Sequence, residues 1–211
     1  MTDRLGLRER KKLRTGELIS ETAVALFLRD GFDRVSITDV AAAADVSKKT
    51  VFNYFPSKED LVFHPIRDHV DEAARVVRAR EPGESPVRAL HRHFLAGLAS
   101  GDPITGLADY PEFLDFQRMV MGTPSLKLRL MEQWIRSEDS LSEALAEAFG
   151  HAPGDVAPRV LAAQILAVQR TLTVRNVERM LAGDRPADAL ARSTEEAEQA
   201  FELLARALPA T

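Results

Sequence analysis

Cysteine is absent from this 211-residue sequence, and aromatic residues are few, with one tryptophan and two tyrosines. Without cysteine the chain cannot form disulfide bonds or thiolate metal sites, which suits a cytoplasmic protein. Long apolar runs are also missing, because no stretch approaches the ~20 residues that a membrane-spanning helix needs. Residues 1–14 are polar and basic, and no apolar segment follows them that would form a signal peptide. We therefore expect a cytoplasmic protein with no membrane partner.

Sequence motifs for catalysis are scarce as well. His91 and His93 are two residues apart and so lie on different faces of a helix, and the other histidines have no spacing that suits a metal. The sequence has no Gly-rich phosphate loop, nucleophile elbow or His-Glu-x-x-His motif. We therefore expect no enzyme activity, no cofactor and no metal site.

Acidic residues outnumber basic ones, but the charge is unevenly distributed. The formal net charge is −4. Residues 1–60 hold 11 Lys/Arg against 10 Asp/Glu, a balance of +1, whereas residues 61–211 hold 17 against 22, a balance of −5. The run from Arg8 to Arg14 has five bases and one acid. The N-terminal end can therefore contact a polyanion although the whole chain is acidic.

Apolar residues recur at spacings of three and four along nearly the whole chain, and alternating β patterns with turn pairs are missing. This periodicity predicts an all-α protein. Clusters of Pro and Gly mark the loops between about nine helices. The predicted helices span residues 7–30, 37–44, 48–55, 58–80, 86–99, 111–121, 124–149, 156–182 and 186–208.

The first four predicted helices carry recognisable end signals. Gly31 is expected to end the first helix in a left-handed conformation. Ser36 with Asp39, and Ser57 with Asp60, form the Ser-x-x-Asp pattern of a capping box at the starts of the second and fourth helices. The buried stripe of the first helix is predicted at Leu18, Ile19, Thr22, Ala23, Leu26 and Phe27.

Two short helices joined by a tight turn, within about residues 36–55, predict a helix-turn-helix. The small residues Ala41 to Ala44 allow the two helices to approach closely. The apolar contacts between them are assigned to Val40, Val46, Val51, Phe52 and Phe55. The polar remainder of the second helix, which suits a major groove lined with phosphates, consists of Lys48, Lys49, Thr50, Asn53 and Tyr54. The alternative is that the two lysines are ordinary solvated surface.

The segment GFDRVSITDVAAAADVSKKTVFNYFPSKEDLV, from Gly31 to Val62, resembles the DNA-binding signature of the TetR family of bacterial transcriptional regulators (TetR/AcrR type). The resemblance implies two domains. Residues 1–60 would form a basic arm and the helix-turn-helix DNA-binding domain, with three helices. Residues 61–211 would form a larger helical domain that binds an effector and dimerises.

The resemblance also implies roles for single residues. Ser36 and Thr38 would contact phosphate, whereas Lys48, Lys49 and Thr50 would face bases or adjacent phosphates. The DNA backbone would be clamped by Tyr54 and Lys58. Two positions depart from the family pattern: Asp45 stands in the turn where glycine is usual, and Asn53 replaces a frequent tyrosine, which either removes a backbone contact or exchanges it for a base contact. Aspartate tolerates the left-handed region better than most residues, so the turn is expected to survive with some strain.

The predicted helix 156–182 is apolar on more than one side, which indicates burial on both. The last helix repeats apolar residues at alternating spacings of four and three, up to Leu208, as in a seam between helices. In the family these two helices form a four-helix bundle with a second subunit. Predicted dimer contacts are therefore Val160, Ala167, Val174, Val177, Leu190, Phe201 and Leu204. The alternative is that both faces pack within one subunit.

An effector site would need an apolar cavity with a few polar groups. The candidates are Phe94, Phe113, Phe116, Arg118, Met119, Trp134, Gln169 and Arg170, with Met121, Gln133 and Gln164 as further members. An arginine there would favour an anionic effector. The alternative is that the aromatic and Met residues are ordinary core.

Pro65 lies inside the predicted fourth helix and cannot donate to the carbonyl of Leu61, so it should kink or break that helix. We hypothesise that this kink is a hinge through which ligand binding acts on DNA binding, and a static kink is the alternative.

These features together indicate a homodimeric transcriptional repressor that binds a near-palindromic double-stranded DNA operator and is released by an unknown small-molecule effector. Two other interpretations stay open: an all-helical small-molecule-binding protein or enzyme with a structural helix-turn-helix, and a DNA-architectural protein.

Overall fold

The computed structural model describes residues 6–152 and 154–207, except for the side chains of residues 7, 8, 68 and 207. These residues form ten α-helices and two 3₁₀ segments without any strand, so the predicted all-α fold is confirmed. Residues 1–5 of the predicted basic arm, and the predicted seam residue Leu208, lie outside the described residues. Two compact units are present: one contains the described residues up to Asp68 together with Arg118–Leu130, and the other contains His69–Gln117 and the described residues from Met131 onward. The functional boundary after residue 60 stays a prediction.

The first unit is built around α1 (Leu7–Asp30), which packs against α2 (Ile37–Ala43) and α4 (Lys58–Phe63), while α3 (Lys48–Tyr54) packs on α2. Its core contains Ile19, Ala23 and Phe27 of α1, all of which are almost fully buried. The predicted place of Leu18 in this stripe is wrong, since 52% of Leu18 is exposed. One residue corresponds to about 100° around a helix axis, so Leu18 lies beside the buried stripe instead of within it.

Side-chain caps fix the starts of α2, α3 and α4. Ser36 and Asp39 form a capping box at α2, and Ser57 with Asp60 forms another at α4, as predicted. The hydroxyl of Ser47 accepts a hydrogen bond from the backbone N–H of Thr50 at 3.0 Å. Helices of six or seven residues are unstable alone, so these caps and the packing on α1 are what hold them in place.

The predicted fourth helix is interrupted at Pro65. Helix α4 ends at Phe63, a 3₁₀ segment follows over His64–His69, and α5 covers Glu72–Arg78. Proline lacks the N–H that an α-helix needs and clashes with the carbonyl four residues earlier, so the helix does not continue. This interruption is the reason why the described chain has ten α-helices instead of the nine that were expected.

The second unit contains α5, α6 (Pro86–Ser100), a 3₁₀ segment (Pro103–Thr105), and α9 (Val156–Ala182) with α10 (Pro186–Ala207). Helix α7 (Pro111–Gly122) contributes its residues up to Gln117, and α8 (Pro124–Phe149) contributes those from Met131. Helix α10 packs on both α6 and α9. The core of this unit includes Leu90, Leu98, Leu141, Leu145, Ile165, Met180 and Phe201.

A network of polar side chains joins α9 and α10 through hydrogen bonds. The amide of Asn176, which is 2% exposed, donates to the carbonyl of Thr105 at 2.9 Å and accepts from the hydroxyl of Ser193 at 2.8 Å. The guanidinium of Arg179 donates to both carboxylate oxygens of Glu196 at 2.5 and 2.6 Å. This hydrogen bonding lowers the pKa of Glu196 to about 2. Because each buried polar group has a partner, the network fixes the register of α9 against α10.

Gly106 lets the loop after the second 3₁₀ segment lie directly against α9. Its φ is +81°, and a Cβ atom added there would be 2.4 Å from the carbonyl oxygen of Thr173. Any residue with a Cβ atom would force the α9 backbone to move, so this position requires glycine.

Candidate nucleic-acid interface

The turn between α2 and α3 is closed by backbone hydrogen bonds and by one residue in a left-handed conformation. The N–H of Val46 donates to the carbonyl of Ala41 at 2.9 Å. Asp45 has φ of 51°, which a non-glycine residue adopts rarely and aspartate more readily than most. Val40 and Val51 are 0% exposed and hold the two helices together. The aspartate thus keeps the tight turn that the sequence predicted.

Four residues of α3 form its exposed face: Lys48, Lys49, Phe52 and Asn53. Phe52 was predicted to be an apolar contact between the helices, and this prediction is wrong, because 47% of Phe52 is exposed. The core side of α3 is already occupied by Val51 and Phe55, and Phe52 lies one residue from Val51, about 100° away around the helix. The spacing of four between Lys48 and Phe52 was the signal that could have placed them on one face.

Thr50 and Tyr54 are less accessible than the rest of the predicted reading residues. The Thr50 hydroxyl lies 2.8 Å from the Ser47 hydroxyl, and the residue as a whole is half-buried. Tyr54 is half-buried against α1, where a Cβ atom on Gly16 would come within 3.3 Å of the Tyr54 Cδ1 atom. Tyr54 therefore packs part of its ring between α1 and α3, and any DNA contact would come from what remains exposed.

At the start of α2, Ser36 and Thr38 are both exposed. The Ser36 hydroxyl donates to the Asp39 carboxylate at 2.7 Å, and the Ser36 N–H donates to the same oxygen at 2.8 Å. These hydrogen bonds lower the pKa of Asp39. Because both donors of Ser36 are used in the cap, a phosphate could bind them only by displacing Asp39, whereas the Thr38 side chain faces solvent.

Lys58 was expected to clamp the DNA backbone, and the structure gives its ammonium group another set of partners. The Lys58 Nζ donates to the carbonyl of Phe32 and lies 4.3 Å from the centroid of the Phe32 ring and 5.3 Å from that of Phe27. Burial lowers the pKa of Lys58. A phosphate contact would require the ammonium to leave these cation–π contacts.

The predicted basic run is helical, because α1 begins at Leu7. Arg10, Lys11, Lys12 and Arg14 are exposed. These four cations extend along the first two turns of α1 and provide charges that can contact phosphates.

The predicted effector residues lie in several places. Arg118 and Met119 belong to the first unit and the other six to the second. Phe94 is buried near Phe201, with ring centroids 6.2 Å apart, and Phe113 is buried against Ala108 and Val177. Phe116 and Gln169 are half-buried. For Phe94 and Phe113, the alternative of ordinary core packing describes the observed contacts.

Trp134 and Arg170 do meet in the second unit. The Arg170 Cζ atom lies 4.9 Å from the centroid of the Trp134 ring, and both residues are half-buried. A half-buried guanidinium on an aromatic face keeps several N–H donors available, so this pair can bind a planar or anionic group.

Three of the predicted dimer contacts are buried within the chain instead. Val177, Phe201 and Leu204 are 7%, 2% and 6% exposed, and Phe201 stacks on His91 at 4.7 Å. Phe201 and Leu204 lie on the apolar face with which α10 covers α6 and α9, whereas Val177 packs against Ala108 and Phe113, so these side chains are unavailable to a partner. Leu190 is half-buried against the same core.

The other predicted dimer contacts lie on an accessible face of α9. Val160 is 51% exposed and Val174 is 36% exposed. Ala167 lines an open apolar groove of about 230 Å³ between α9 and α10, which is bounded by Ala167, Val168, Thr171, Leu172 and Ala200.

A titratable cluster in the second unit was not predicted. The Glu72 carboxylate lies 2.6 Å from His69 Nδ1 and 3.0 Å from His93 Nε2. These hydrogen bonds lower the pKa of Glu72 well below its usual value. The bond to Glu72 raises the pKa of His69, and the charge of Asp102 raises it further, whereas the charge of Arg75 lowers it. Glu72 and His93 are 21 positions apart, so the sequence has no local signal for this contact.

The helix-turn-helix formed by α2 and α3 defines the class of protein. An all-α protein that exposes two lysines on the second of these helices is built to bind DNA. Among the helices of the described chain, none combines the length and the apolar character that crossing a membrane requires.

Comparison with known proteins identifies the family. Residues 19–64 match the family of bacterial regulatory proteins of the tetR type, and residues 107–209 match the MftR C-terminal domain. The chain is 30% identical to the HTH-type transcriptional regulator TcmR of Streptomyces glaucescens over 176 residues, which cover 80% of this chain and 75% of that protein. The chain belongs to the TetR family of transcriptional regulators.

One further relative and one solved structure are also similar to this chain. The HTH-type transcriptional repressor DhaR of Mycobacterium sp. (strain GP1) is 25% identical over 130 residues, covering 55% of this chain and 59% of DhaR. Among solved structures, Salmonella enterica GusR shares the fold with a TM-score of 0.56 and 23% identity, covering 92% of this chain and 95% of that one.

Proposed function

We propose that this regulator is a repressor that binds a near-palindromic operator as a homodimer in the bacterial cytoplasm and is released by a small-molecule effector. The observation that carries the proposal is the exposed face of α3, where Lys48 and Lys49 stand at the start of the helix. Repression is supported by the similarity to DhaR, which is named a transcriptional repressor.

The DNA contacts follow from chemistry and exposure. Lysine ammonium groups donate to guanine O6 and N7 or to phosphate oxygens, and the exposed amide of Asn53 can pair with adenine. Thr38, Thr50 and Tyr54 are proposed as phosphate contacts, together with Ser36 and Lys58 if their internal partners are displaced.

The experiment begins with selection of an operator from randomised duplexes by the intact chain, followed by gel-shift titration. If the lysines read bases, Lys48→Ala and Lys49→Ala should each weaken binding by about 1–3 kcal/mol at one base position. If they contact phosphate, each variant should bind all sequences equally more weakly and its affinity should depend less steeply on salt. Arg185→Ala is the matched control, because it removes an exposed positive charge from the second unit. Unchanged operator binding by the double lysine variant would refute the assignment of α3, and equal binding to all sequences would favour an architectural protein.

The dimer is proposed to form on the accessible face of α9. Val160 and Val174 lie on one side of this helix, beside the groove at Ala167, and the exposed Leu203 of α10 adds apolar surface. Val160→Glu should shift the chain from dimer to monomer in sedimentation equilibrium and weaken operator binding, since a charge would be buried in the interface. A dimer of unchanged stability would place the interface elsewhere.

The effector is proposed to bind beside Trp134 and Arg170. Trp134 is the sole tryptophan of the chain, so its fluorescence reports this site alone. A compound that releases the operator should also change Trp134 emission, and Arg170→Met should weaken that compound without changing operator affinity. Release of the operator with no fluorescence change would exclude this pair from the site.

Pro65 is proposed to act in this response as a hinge. Replacing Pro65 with Ala should restore a helical N–H and change the ratio of operator affinities without and with effector. An unchanged ratio and unchanged affinity would mean that the interruption is static.

A further inference from the structure

The chain first passes from one unit to the other through a stretch in which no described side chain is buried. Every described side chain of residues 64–73 is half-buried or exposed, whereas Phe63 before the stretch and Ala74 after it are buried. The stretch contains Pro65 and the 3₁₀ segment His64–His69, a kind of helix whose hydrogen bonds have poorer geometry than those of an α-helix. Segments with few buried apolar contacts open at a low cost in free energy. Polar contacts therefore matter more for holding this stretch than they do within the core.

The His69–Glu72–His93 cluster joins the end of this stretch to α6. One oxygen of the Glu72 carboxylate lies 2.6 Å from His69 Nδ1, and the other lies 3.0 Å from His93 Nε2. His93 belongs to α6, which packs on both α5 and α10. The three side chains are between 23% and 41% exposed, so water and salt screen their charges only in part. A single carboxylate thus bonds one imidazole from the stretch and one from a helix of the core.

The strength of this contact depends on the protonation of the imidazoles. The pKa of Glu72 lies well below its usual value, so the carboxylate is ionised in neutral solution and forms an ion pair with a protonated His69. A neutral His69 keeps its bond only as the tautomer with the hydrogen on Nδ1, and a neutral His93 only with the hydrogen on Nε2. Loss of the proton therefore removes the attraction between opposite charges and restricts the tautomers that can bond.

The groups around His69 determine the pH at which its charge changes. The hydrogen bond to Glu72 raises the pKa of His69 above its usual 6.5, and burial opposes this rise. The charge of Asp102, which caps the second 3₁₀ segment, raises the pKa further, whereas the charge of Arg75 on α5 lowers it. On α6 the facing group is His93, which bonds the same carboxylate. His69 therefore gains or loses its proton above pH 6.5, beyond the pH at which an unperturbed histidine does so.

We propose that the His69–Glu72–His93 cluster is a pH-sensitive restraint, which fixes the end of the stretch 64–73 to α6 in mildly acidic solution and loosens it as the pH rises. Because the stretch contains Pro65, the restraint makes operator binding depend on pH. The restraint itself is independent of the proposed function, whereas its effect on the operator rests on that function.

Hydrogen exchange of the intact chain measures the restraint without DNA. Protection factors of the peptide that covers residues 64–73, corrected for the intrinsic exchange rate at each pH, should be higher at about pH 6 than at about pH 8. Glu72→Gln removes the charge of the carboxylate and should abolish most of this difference. Asp155→Asn is the matched control, since it removes a carboxylate that lies 3.2 Å from His151 Nδ1 between α8 and α9, and it should keep the wild-type difference.

A titration of the wild-type chain by NMR decides the question even if Glu72→Gln folds poorly. The imidazole signals of His69 should titrate above pH 6.5, over the same pH range in which the protection of residues 64–73 falls. A titration of His69 below pH 6.5, or a loss of protection over a different pH range, would overturn the restraint.

Operator binding tests the regulatory role separately. The affinity of the intact chain for an operator selected from randomised duplexes should change between about pH 6 and about pH 8 by a larger factor than in Glu72→Gln. An equal change in the two proteins would overturn the effect on the operator, and equal protection of residues 64–73 at the two pH values would overturn the restraint itself. Failure of the intact chain to select any operator would overturn the proposed function, and hydrogen exchange would still decide whether the restraint exists.

Discussion

The turn of the helix-turn-helix offers a direct test of how the local backbone limits the sequence. Asp45, with φ of 51°, is the one residue other than glycine in the described part of the chain that has a positive φ. A side chain with an ordinary Cβ costs about 1–2 kcal/mol in the left-handed region, and aspartate reduces this cost through local hydrogen bonding. Glycine has no such strain but loses about 0.4–1 kcal/mol through the greater freedom of the unfolded chain. Asp45→Gly should therefore be about 1 kcal/mol more stable than Asp45→Ala.

The matched control lies two residues earlier. Ala43 is the exposed last residue of α2, where the backbone is helical, so Ala43→Gly should reduce stability by about 0.5–1 kcal/mol. The order of glycine and alanine should thus reverse between positions 43 and 45. Thermal unfolding measures this, because 1 kcal/mol shifts the midpoint by about 2–4 °C in a chain of this size. An alanine at position 45 that is as stable as glycine would refute the strain argument.

The same position also carries a negative charge beside the DNA-reading helix. Asp45→Asn tolerates the left-handed conformation and removes the charge, which changes the balance of residues 1–60 from +1 to +2. Operator affinity at low salt should rise in a titration, and the gain should shrink as salt is added. Weaker binding by Asp45→Asn would instead indicate that the carboxylate itself contacts DNA or a neighbouring cation.

Three further predictions follow from packing and charge in the second unit. Gly106→Ala should lower the thermal midpoint much more than Gly101→Ala, because both glycines have positive φ but only the first would bring a Cβ atom against the α9 backbone. Glu72→Gln should destabilise the protein most between about pH 4.5 and 6.5. The pKa of Glu72 is lower in the folded protein than its usual value of 4.5, so the stabilisation by Glu72 is fully present above pH 4.5. The pKa of His69 is raised in the folded protein, so this stabilisation is lost as the pH rises beyond 6.5 and through the folded-state pKa of His69. Glu196→Gln should cost about 1.5–3 kcal/mol in urea unfolding, since it weakens the hydrogen bonds of a guanidinium that is 11% exposed.

Each of these predictions has an outcome that contradicts it. Equal losses for the two glycine variants would show that the loop can move away from α9. A loss in Glu72→Gln that grows from pH 6 to pH 9 would mean that His69 contributes nothing while protonated. A Glu196→Gln variant as stable as the wild type would assign the network to specificity of packing instead of stability.

Local signals predicted the ends of helices well. Gly31 follows α1 with its N–H bonded to the Phe27 carbonyl, although its ψ of 139° lies outside the left-handed helical conformation that was expected. The two capping boxes stand where the Ser-x-x-Asp patterns indicated. The interruption at Pro65 was likewise predictable, because it depends on the covalent structure of one residue. Such features involve residues within four positions of each other, which a sequence displays directly.

Predictions about which apolar face meets which partner were less successful. Helix α9 has apolar residues all round, and α10 has a seam that could serve either a second subunit or its own chain. Phe201 and Leu204 turned out to pack internally, whereas Val160 and Val174 remain accessible. Periodicity identifies an apolar face but says nothing about its partner, since that depends on contacts between residues far apart in the sequence.

Residues that pack on the fold and residues that face solvent are separate on α3, which has a consequence for how new regulators can arise. Val51 and Phe55 hold the helix on the fold, while Lys48, Lys49, Phe52 and Asn53 make few contacts that the fold depends on. Substitutions at these four positions are expected to leave folding intact, because exposed side chains contribute little to stability. The helix can therefore acquire a different target sequence through a handful of substitutions, each of which yields a folded protein. A duplicated copy of this chain could diverge toward another promoter without passing through an unstable intermediate.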